Sequence, residues 1–311
     1  MNDEAFQVAR PRLLGIAYRM LGSWAEAEDI VGDVAERWLH ADRDAIREPE
    51  AWLVTVTTRR ALDVLRSARV QREEYPGVWL PEPVATDGAP EMDVERRESL
   101  TMGFLLLLER LTPIERAVFV LHDALGHPYD LVAQAVGRSE DACRQALSRA
   151  RKHVAVPQRR SVAERRQAEE VAMRFLTVGM GGDVDALLAA LSPDIVVTSD
   201  GGGVARAAIR PVVGPHRVAR FLLNLGSRLG DDPLVVPCEI NGSPGAIVHI
   251  PDGWSALTVE TAGDAVTGVH VIANPAKLER LVAALGPLTA GRPGVWESVR
   301  PFRNWHGQPV R

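Results

Sequence analysis

The sequence predicts a multidomain fold: two all-α domains, the second a helix-turn-helix, joined by an acidic linker and followed by an α+β cone. Three observations predict it. Apolar residues recur at helical spacing up to about residue 70, and again over 100–156. Between these stretches the period gives way to prolines, glycines and carboxylates. Beyond residue 191 the chain turns to alternating and β-branched segments. With 311 residues, two or three domains can each bury a substantial core.

Within residues 1–70, Leu13, Leu14, Ala17, Tyr18 and Leu21 make one apolar stripe, which Gly22-Ser23 ends. The next helix, roughly Trp24–His40, places Ala27, Val31, Val34 and Trp38 on one side. Asp29, Asp33 and Glu36 fall at i, i+4 and i+7, so three carboxylates share another face. Glu48-Pro49-Glu50 opens a third helix through Trp52, Val56 and Leu62 to Arg69. Residues 71–99 read as an extended acidic linker. Inside it, Trp79-Leu80-Pro81-Glu82-Pro83 is an apolar island. A mobile spacer has no use for an exposed tryptophan, so Trp79 is expected to dock onto something.

Residues 100–156 read as the helix-turn-helix. The run Phe104–Leu108 is too short to span a bilayer and reads as buried helix. Thr112-Pro113-Ile114-Glu115 is a capping box with proline at the first helical position. Helix Tyr129–Val136 stops at Gly137, and Ser139 caps the next helix with Glu140 and Asp141 in its first turn. That second helix carries Arg144, Gln145, Ser148, Arg149, Arg151 and Lys152. Ala133 and Gly137 are expected to let two helices cross closely, over a seam of Val136, Cys143 and Leu147. In that seam Cys143 reads as an inert buried thiol rather than a redox switch.

Residues 157–167 are a basic connector, and the cone is assigned to residues 168–286. Helices are expected at Ala168–Val178, Val184–Leu191 and Arg217–Leu229. Strands are expected at Ile195–Thr198, Ile209–Val213, Leu234–Ile240, Ala246–Ile250, Ser255–Thr261 and Val266–Ile272, in antiparallel succession after a turn at Ser192-Pro193-Asp194. Residues 287–311 have no period and read as an irregular tail.

A net charge of −5 argues against a general polyanion-binding protein, so contact with DNA must come from local basic surface. Arg59, Arg60, Arg66, Arg69 and Arg72 form one such surface, and residues 138–153 another. Cys143 and Cys238 cannot make a disulfide framework, which fits a reducing cytoplasm. No signal peptide or membrane span is expected, and no metal-ligand spacing or cofactor motif stands out.

This layout resembles that of the extracytoplasmic-function sigma factors. Ala27-Glu28-Asp29-Ile30-Val31-Gly32-Asp33-Val34 resembles the helix that grips the RNA polymerase β′ clamp. Ala51-Trp52-Leu53 through Ala61-Leu62-Asp63-Val64-Leu65-Arg66 resembles the helix that melts and reads the −10 element. Leu111–Arg116 to Ser148–Lys152 resembles the −35 reader. The second half resembles the SnoaL-like branch of the nuclear-transport-factor-2-like cones, which one sigma subfamily carries as a C-terminal extension. Trp79–Pro83, Asp200-Gly201-Gly202-Gly203 and Asn274-Pro275-Ala276-Lys277-Leu278 carry that second likeness. Three departures stand out: Gly32 inside the clamp helix, Val204 where the subfamily has lysine, and Ala276 where it has aspartate.

The resemblance implies the partners and the sites. Asp29, Ile30, Asp33, Val34, Glu36 and Arg37 would bind core polymerase, through the β′ clamp with the β subunit also in contact. Arg59, Arg60, Asp63, Arg66 and Arg69 would hold opened −10 DNA, although Asp63 and Arg66 can equally pair with each other. Arg138, Ser139, Asp141, Arg144, Gln145, Ser148 and Arg149 would meet the double-stranded −35 element, early positions at base edges and later ones at phosphates. Trp79, Leu80, Pro81, Glu82 and Pro83 would meet the loops Asp200–Gly203 and Asn274, Pro275, Lys277 and Leu278 in a regulatory hinge.

The expected function is therefore a sigma subunit, not an enzyme, modulated by its own fused cone, which could also take a small ligand. Two alternatives stay open. One is a stand-alone helix-turn-helix regulator with a ligand-sensing cone. The other is a SnoaL-like enzyme using His249 or His270 with Asp200 or Glu260.

Overall fold

A computed structural model describes residues 4–86, 99–154, 160–181, 183–228, 234–250 and 253–284. The expected tail at 287–311, the connector residues 157–159 and most of the acidic run lie outside the described residues. The described residues divide into two compact units: residues 4–74 with 99–154, and residues 75–86 with 160–284.

The first unit is all helical. Helix α1 (Glu4–Leu21) packs against α2 (Trp24–His40) and α3 (Pro49–Glu73). The expected single stripe on α1 is in fact a surface buried on every side: each residue from Leu13 to Leu21 is buried. Even Arg19 is 2 % exposed, its guanidinium donating to Ser99 Oγ and to the Gly15 carbonyl. Gly15 makes that possible, since a Cβ there would lie 2.8 Å from the Arg19 Nη1 atom. This half of α1 is packed on all sides and keeps no polar face, whereas Glu4, Gln7 and Val8 near its start are exposed. Helix α3 runs to Glu73, beyond the stop expected at Arg69, because no residue before Tyr75-Pro76-Gly77 breaks a helix.

After Thr101 caps α4 (Met102–Leu108), the expected capping box is present at α5 (Pro113–Phe119). Glu115 Oε2 accepts from the Thr112 amide at 3.2 Å, and Thr112 Oγ1 accepts from the Glu115 amide. Helix α5 widens into one π turn, Val120–Ala124, before α6 (Tyr129–Val136) and α7 (Glu140–Ala150). Gly137 adopts φ 66°, the left-handed stop expected of it. It does not serve a close helix crossing, because nothing lies within 4 Å of a Cβ built there. Val136, Cys143 and Leu147 form the buried seam. Burial pushes the Cys143 thiol above its ordinary pKa, with Glu140 adding to the effect, so it is held protonated.

The second unit stacks α8 (Val162–Gly181), α9 (Val184–Ala190) and α10 (Pro215–Gly226) on one face of a sheet with order β2-β1-β6-β5-β4-β3. The strands are β1 (Leu191–Asp200), β2 (Val212–Val213), β3 (Leu234–Ile240), β4 (Ser243–Ile250), β5 (Gly253–Ala262) and β6 (Ala265–Ile272). Helix α11 (Pro275–Ala284) closes the described chain. Alternation puts Val197, Val269, Val271, Leu257, Val259 and Val248 on the helix-covered face, where they meet Phe175, Leu176, Leu187 and Val218. One expectation is corrected: β1 and β6 run parallel. Side-chain alternation is the same in either direction, so it could not reveal this. The turn expected at Ser192–Asp194 is a β-bulge inside β1, between Leu191 and Val196.

Candidate nucleic-acid surfaces and the linker anchor

The cap at Ser139, whose Oγ accepts from the Ala142 amide, starts α7 and fixes which residues face outward. Cys143, Ala146, Leu147 and Ala150 point into the unit. Arg138, Ser139, Asp141, Arg144, Gln145, Ser148 and Arg149 are exposed, so the expected reader face forms one continuous surface. Two of its arginines, Arg144 and Arg149, are held by acids. Arg144 bonds Glu140 at 2.8 Å and Asp141 at 3.2 Å, and both carboxylates raise its pKa, the Glu140 bond foremost. Arg149 donates to Glu115 at 2.7 Å. Burial pushes the Glu115 carboxyl up, but the bonds from Arg149 and Thr112 outweigh it and hold the group below its usual value. Arg151 makes a two-pronged bond to Asp123, which is only 10 % exposed.

On α2, Asp29, Glu36 and Arg37 are exposed, whereas Ile30 and Val34 are buried in the core and support the face from beneath. Asp33 pairs with Arg60 of α3, so it is already neutralised within the unit. On α3, Arg66 and Asp63 form the expected i, i+3 pair at 3.1 Å, and Arg59 donates to the Gln134 carbonyl of α6 at 2.8 Å. The Arg69 side chain lies outside the described residues.

In the second unit the apolar island of the linker is seated, as Trp79 led us to expect. Asp200, 1 % exposed, ends β1 and collects the contacts. Its carboxylate accepts from the Tyr75 hydroxyl at 2.5 Å, the Leu80 amide at 2.9 Å, the Gly202 amide at 2.9 Å and Lys277 Nζ at 2.7 Å. Lys277 also donates to the Leu80 carbonyl and lies 4.2 Å from the centre of the Trp79 ring and 5.0 Å from that of Tyr75. Asn274 donates from Nδ2 to the Tyr75 hydroxyl, which burial and Asp200 together hold protonated far above its ordinary range. The glycines are steric necessities. A Cβ on Gly201 would lie 2.1 Å from the Ala205 carbonyl oxygen, one on Gly202 2.5 Å from Asn274, and one on Gly203 2.7 Å from Pro76. Leu80 and Leu278 are buried beside this network, as are Glu82 and Asn274. Further along, Val84 and Thr86 dress the end of β3. Asn241 donates to the Val84 carbonyl, and Thr86 pairs with Glu239 through both backbone and side chain.

Residues 6–70 match the Sigma-70 region 2 family and residues 101–154 match Sigma-70 region 4. Over 293 residues, 89% of this chain and 93% of the relative, the sequence is 40% identical to the ECF RNA polymerase sigma factor SigJ of Mycobacterium tuberculosis. The chain belongs to the ECF RNA polymerase sigma factors. It is also 32% identical over 288 residues to the probable ECF sigma factor SigI of the same species, covering 91% of this chain and 96% of that one. The crystal structure of M. tuberculosis SigJ superposes with a TM-score of 0.74 at 35% identity, covering 88% of this chain and 97% of that chain, so the likeness includes the C-terminal α+β domain. As a sigma factor, the protein directs transcription initiation.

Some residues of this sigma factor escaped sequence reading. Tyr75 lies far in sequence from Asp200, and no local pattern marks it. His122 and Tyr129, beside the reader helix, also carry no motif. The histidines considered for catalysis do not share a centre. His270 bonds Thr198 Oγ1 at 2.7 Å and lies 3.4 Å from Glu260, whereas His249 sits against the Trp254 ring and burial lowers its pKa. Asp200 is committed to Lys277 and the linker and meets neither. Among the described residues no helix is long and apolar enough to cross a membrane, and no cluster of three or more metal-ligating side chains occurs.

Proposed function

We propose that the two sigma regions divide the work as their surfaces suggest, and that the fused domain sets when they do it. The acidic face of α2, at Asp29 and Glu36, grips the β′ clamp of core polymerase, with the β subunit also contacted. The arginines of α3 (Arg59, Arg60, Arg66 and Arg69) hold opened −10 DNA, with Asp63 beside them. The outward face of α7, from Arg138 to Arg149, reads the −35 duplex. The protein acts by binding, in the cytoplasm with polymerase, and carries no catalytic step of its own.

One observation carries the regulatory part of this reading: the segment joining the two sigma regions is seated on a buried ion pair of the fused domain, Lys277–Asp200, with Tyr75 and Leu80 donating to Asp200 and Trp79 lying on Lys277. Whatever tightens or loosens this anchor changes the length of chain free to separate regions 2 and 4. Separation matters because Arg59 of α3 is bonded to α6, so a −10 residue must part from region 4 before it meets DNA. A small ligand has room to act in the fused domain. A cleft of about 1110 Å³ bordered by Trp254 and Pro275 adjoins a small apolar cavity of about 90 Å³ among Phe175, Leu222, Leu225, Leu257 and Val271.

In vitro transcription with purified core enzyme tests the whole. Wild-type protein should initiate from its own promoters, and Trp79→Ala should alter the rate. Failure to co-migrate with core polymerase overturns the assignment of the α2 face. Unchanged initiation by Trp79→Ala in both directions overturns the regulatory role of the anchor.

A further inference from the structure

Beneath the outer face of α7 lie two stacked rings, Tyr129 and His122, that none of the assigned sites uses. Arg144 holds its guanidinium carbon 4.6 Å from the centre of the Tyr129 ring. The same ring stacks with His122, whose ring centre is 4.0 Å from that of Tyr129 at an interplanar angle of 30°. His122 is itself fixed, since Nδ1 lies 2.8 Å from the His127 carbonyl oxygen. A carbonyl can only accept, so that nitrogen carries a proton and the ring cannot flip without losing the bond. The π turn Val120–Ala124 makes this arrangement, because its wider winding brings His122 and Asp123 round to α6 and α7.

A guanidinium stacks through its face and donates through its edges, so the two uses do not compete. With the face resting on Tyr129, the edge of Arg144 stays available in a narrow range of orientations. In the free protein that edge donates to half-buried Glu140 and exposed Asp141, both on the first turn of the same helix. A guanine presents two acceptors, N7 and O6, at a spacing that suits the same edge. DNA docking therefore needs only an exchange of acceptors, with the stack retained.

Resting on the assignment of α7 to the upstream promoter element, we propose that Tyr129, stacked with His122, is a positioning residue for base reading: it holds Arg144 to select guanine at one base pair of that element. Tyr129 is not itself a base-contacting group. It acts through Arg144, by lowering the number of orientations the guanidinium must abandon on binding.

The test is selection of bound promoters from a library randomised across the upstream element, using full-length protein in holoenzyme with core polymerase. Arg144→Ala should flatten one guanine-preferring position by between about 5-fold and 150-fold. Tyr129→Ala should weaken the same position by about two- to fivefold and leave the other positions and the salt dependence as they were. Tyr129→Phe keeps the ring face and should restore the wild-type preference. A Tyr129→Ala profile identical to wild type, or one weakened equally at every position, overturns the proposal. So does an unchanged profile for Arg144→Ala while Gln145→Ala or Arg149→Ala alters theirs, which leaves the assignment of α7 standing. If no substitution on α7 changes any position, the assignment of α7 itself falls.

Discussion

Replacing Lys277 by methionine removes the cation from Asp200 but keeps most of the stem that lies along Trp79. The Asp200 side chain has no exposed surface, and after the change it retains three neutral donors, from Tyr75, Leu80 and Gly202. Removing one partner from a buried ion pair costs about 3–5 kcal/mol. The three surviving donors place this case near the lower figure, about 3 kcal/mol. Loss of the cation from the Trp79 face adds about 0.5–1 kcal/mol. In a unit of this size each kcal/mol moves Tm by roughly 2–4 °C, so the second unit should melt about 7–16 °C earlier. Tryptophan fluorescence during thermal unfolding is the assay. The charge-neutral double variant Asp200→Asn with Lys277→Met should cost about 1–3 kcal/mol less than the two single changes added together. A shift in Tm below about 2 °C for Lys277→Met, or strict additivity in the cycle, refutes the claim that this coupled pair holds together the site on which the linker sits.

Three further outcomes follow from the geometry. Gly32→Ala, at an exposed mid-helix position with nothing within 4 Å of the added carbon, should stabilise the first unit, and urea denaturation should show a gain of about 0.5–1 kcal/mol. Arg116→Met should destabilise the same unit by about 2–3 kcal/mol in that assay, because it strips the Met20 carbonyl and Glu109 of a buried donor. Burial lowers the folded-state pKa of His249, so above about pH 6.5 the residue is neutral in both states and costs nothing. As pH falls from there the unfolded chain binds the proton first, and the second unit should lose stability until the folded value is reached. Thermal melts at pH 7.5 and 5.5 should therefore differ less for His249→Asn than for wild type.

What could be read from the sequence was whatever is local. The capping box at Thr112, the glycine stop at Gly137 and the Ser139 cap each depend on residues within a few positions, and each formed where expected. The separated motifs Asp200–Gly203 and Asn274–Leu278 were legible through resemblance, and Trp79 through its improbability in a spacer. Contacts across long separations were not. Tyr75 meets Asn274 across 199 positions, and neither residue type in its own neighbourhood implies the other. Strand direction was hidden because period-two alternation is blind to it, so the parallel pairing of β1 with β6 could not be inferred. The sequence also did not show that Glu140 and Asp141 hold Arg144, and Glu115 holds Arg149, in place. Charge counts alone do not show that an acid three or four positions away, or on another helix, has already claimed the cation.

The cover that Val84 and Thr86 lay over the end of β3 has a further consequence. The last strand of a sheet is a template for any other chain with free amide and carbonyl groups. Should the anchor release, the Glu239 carbonyl and the Asn241 amide would lose their partners together. A chain in that condition is liable to recruit the same stretch from a neighbour, trading an internal clasp for a swapped pair. Crowded expression would then favour dimers of the released form, and dilution would return the monomer.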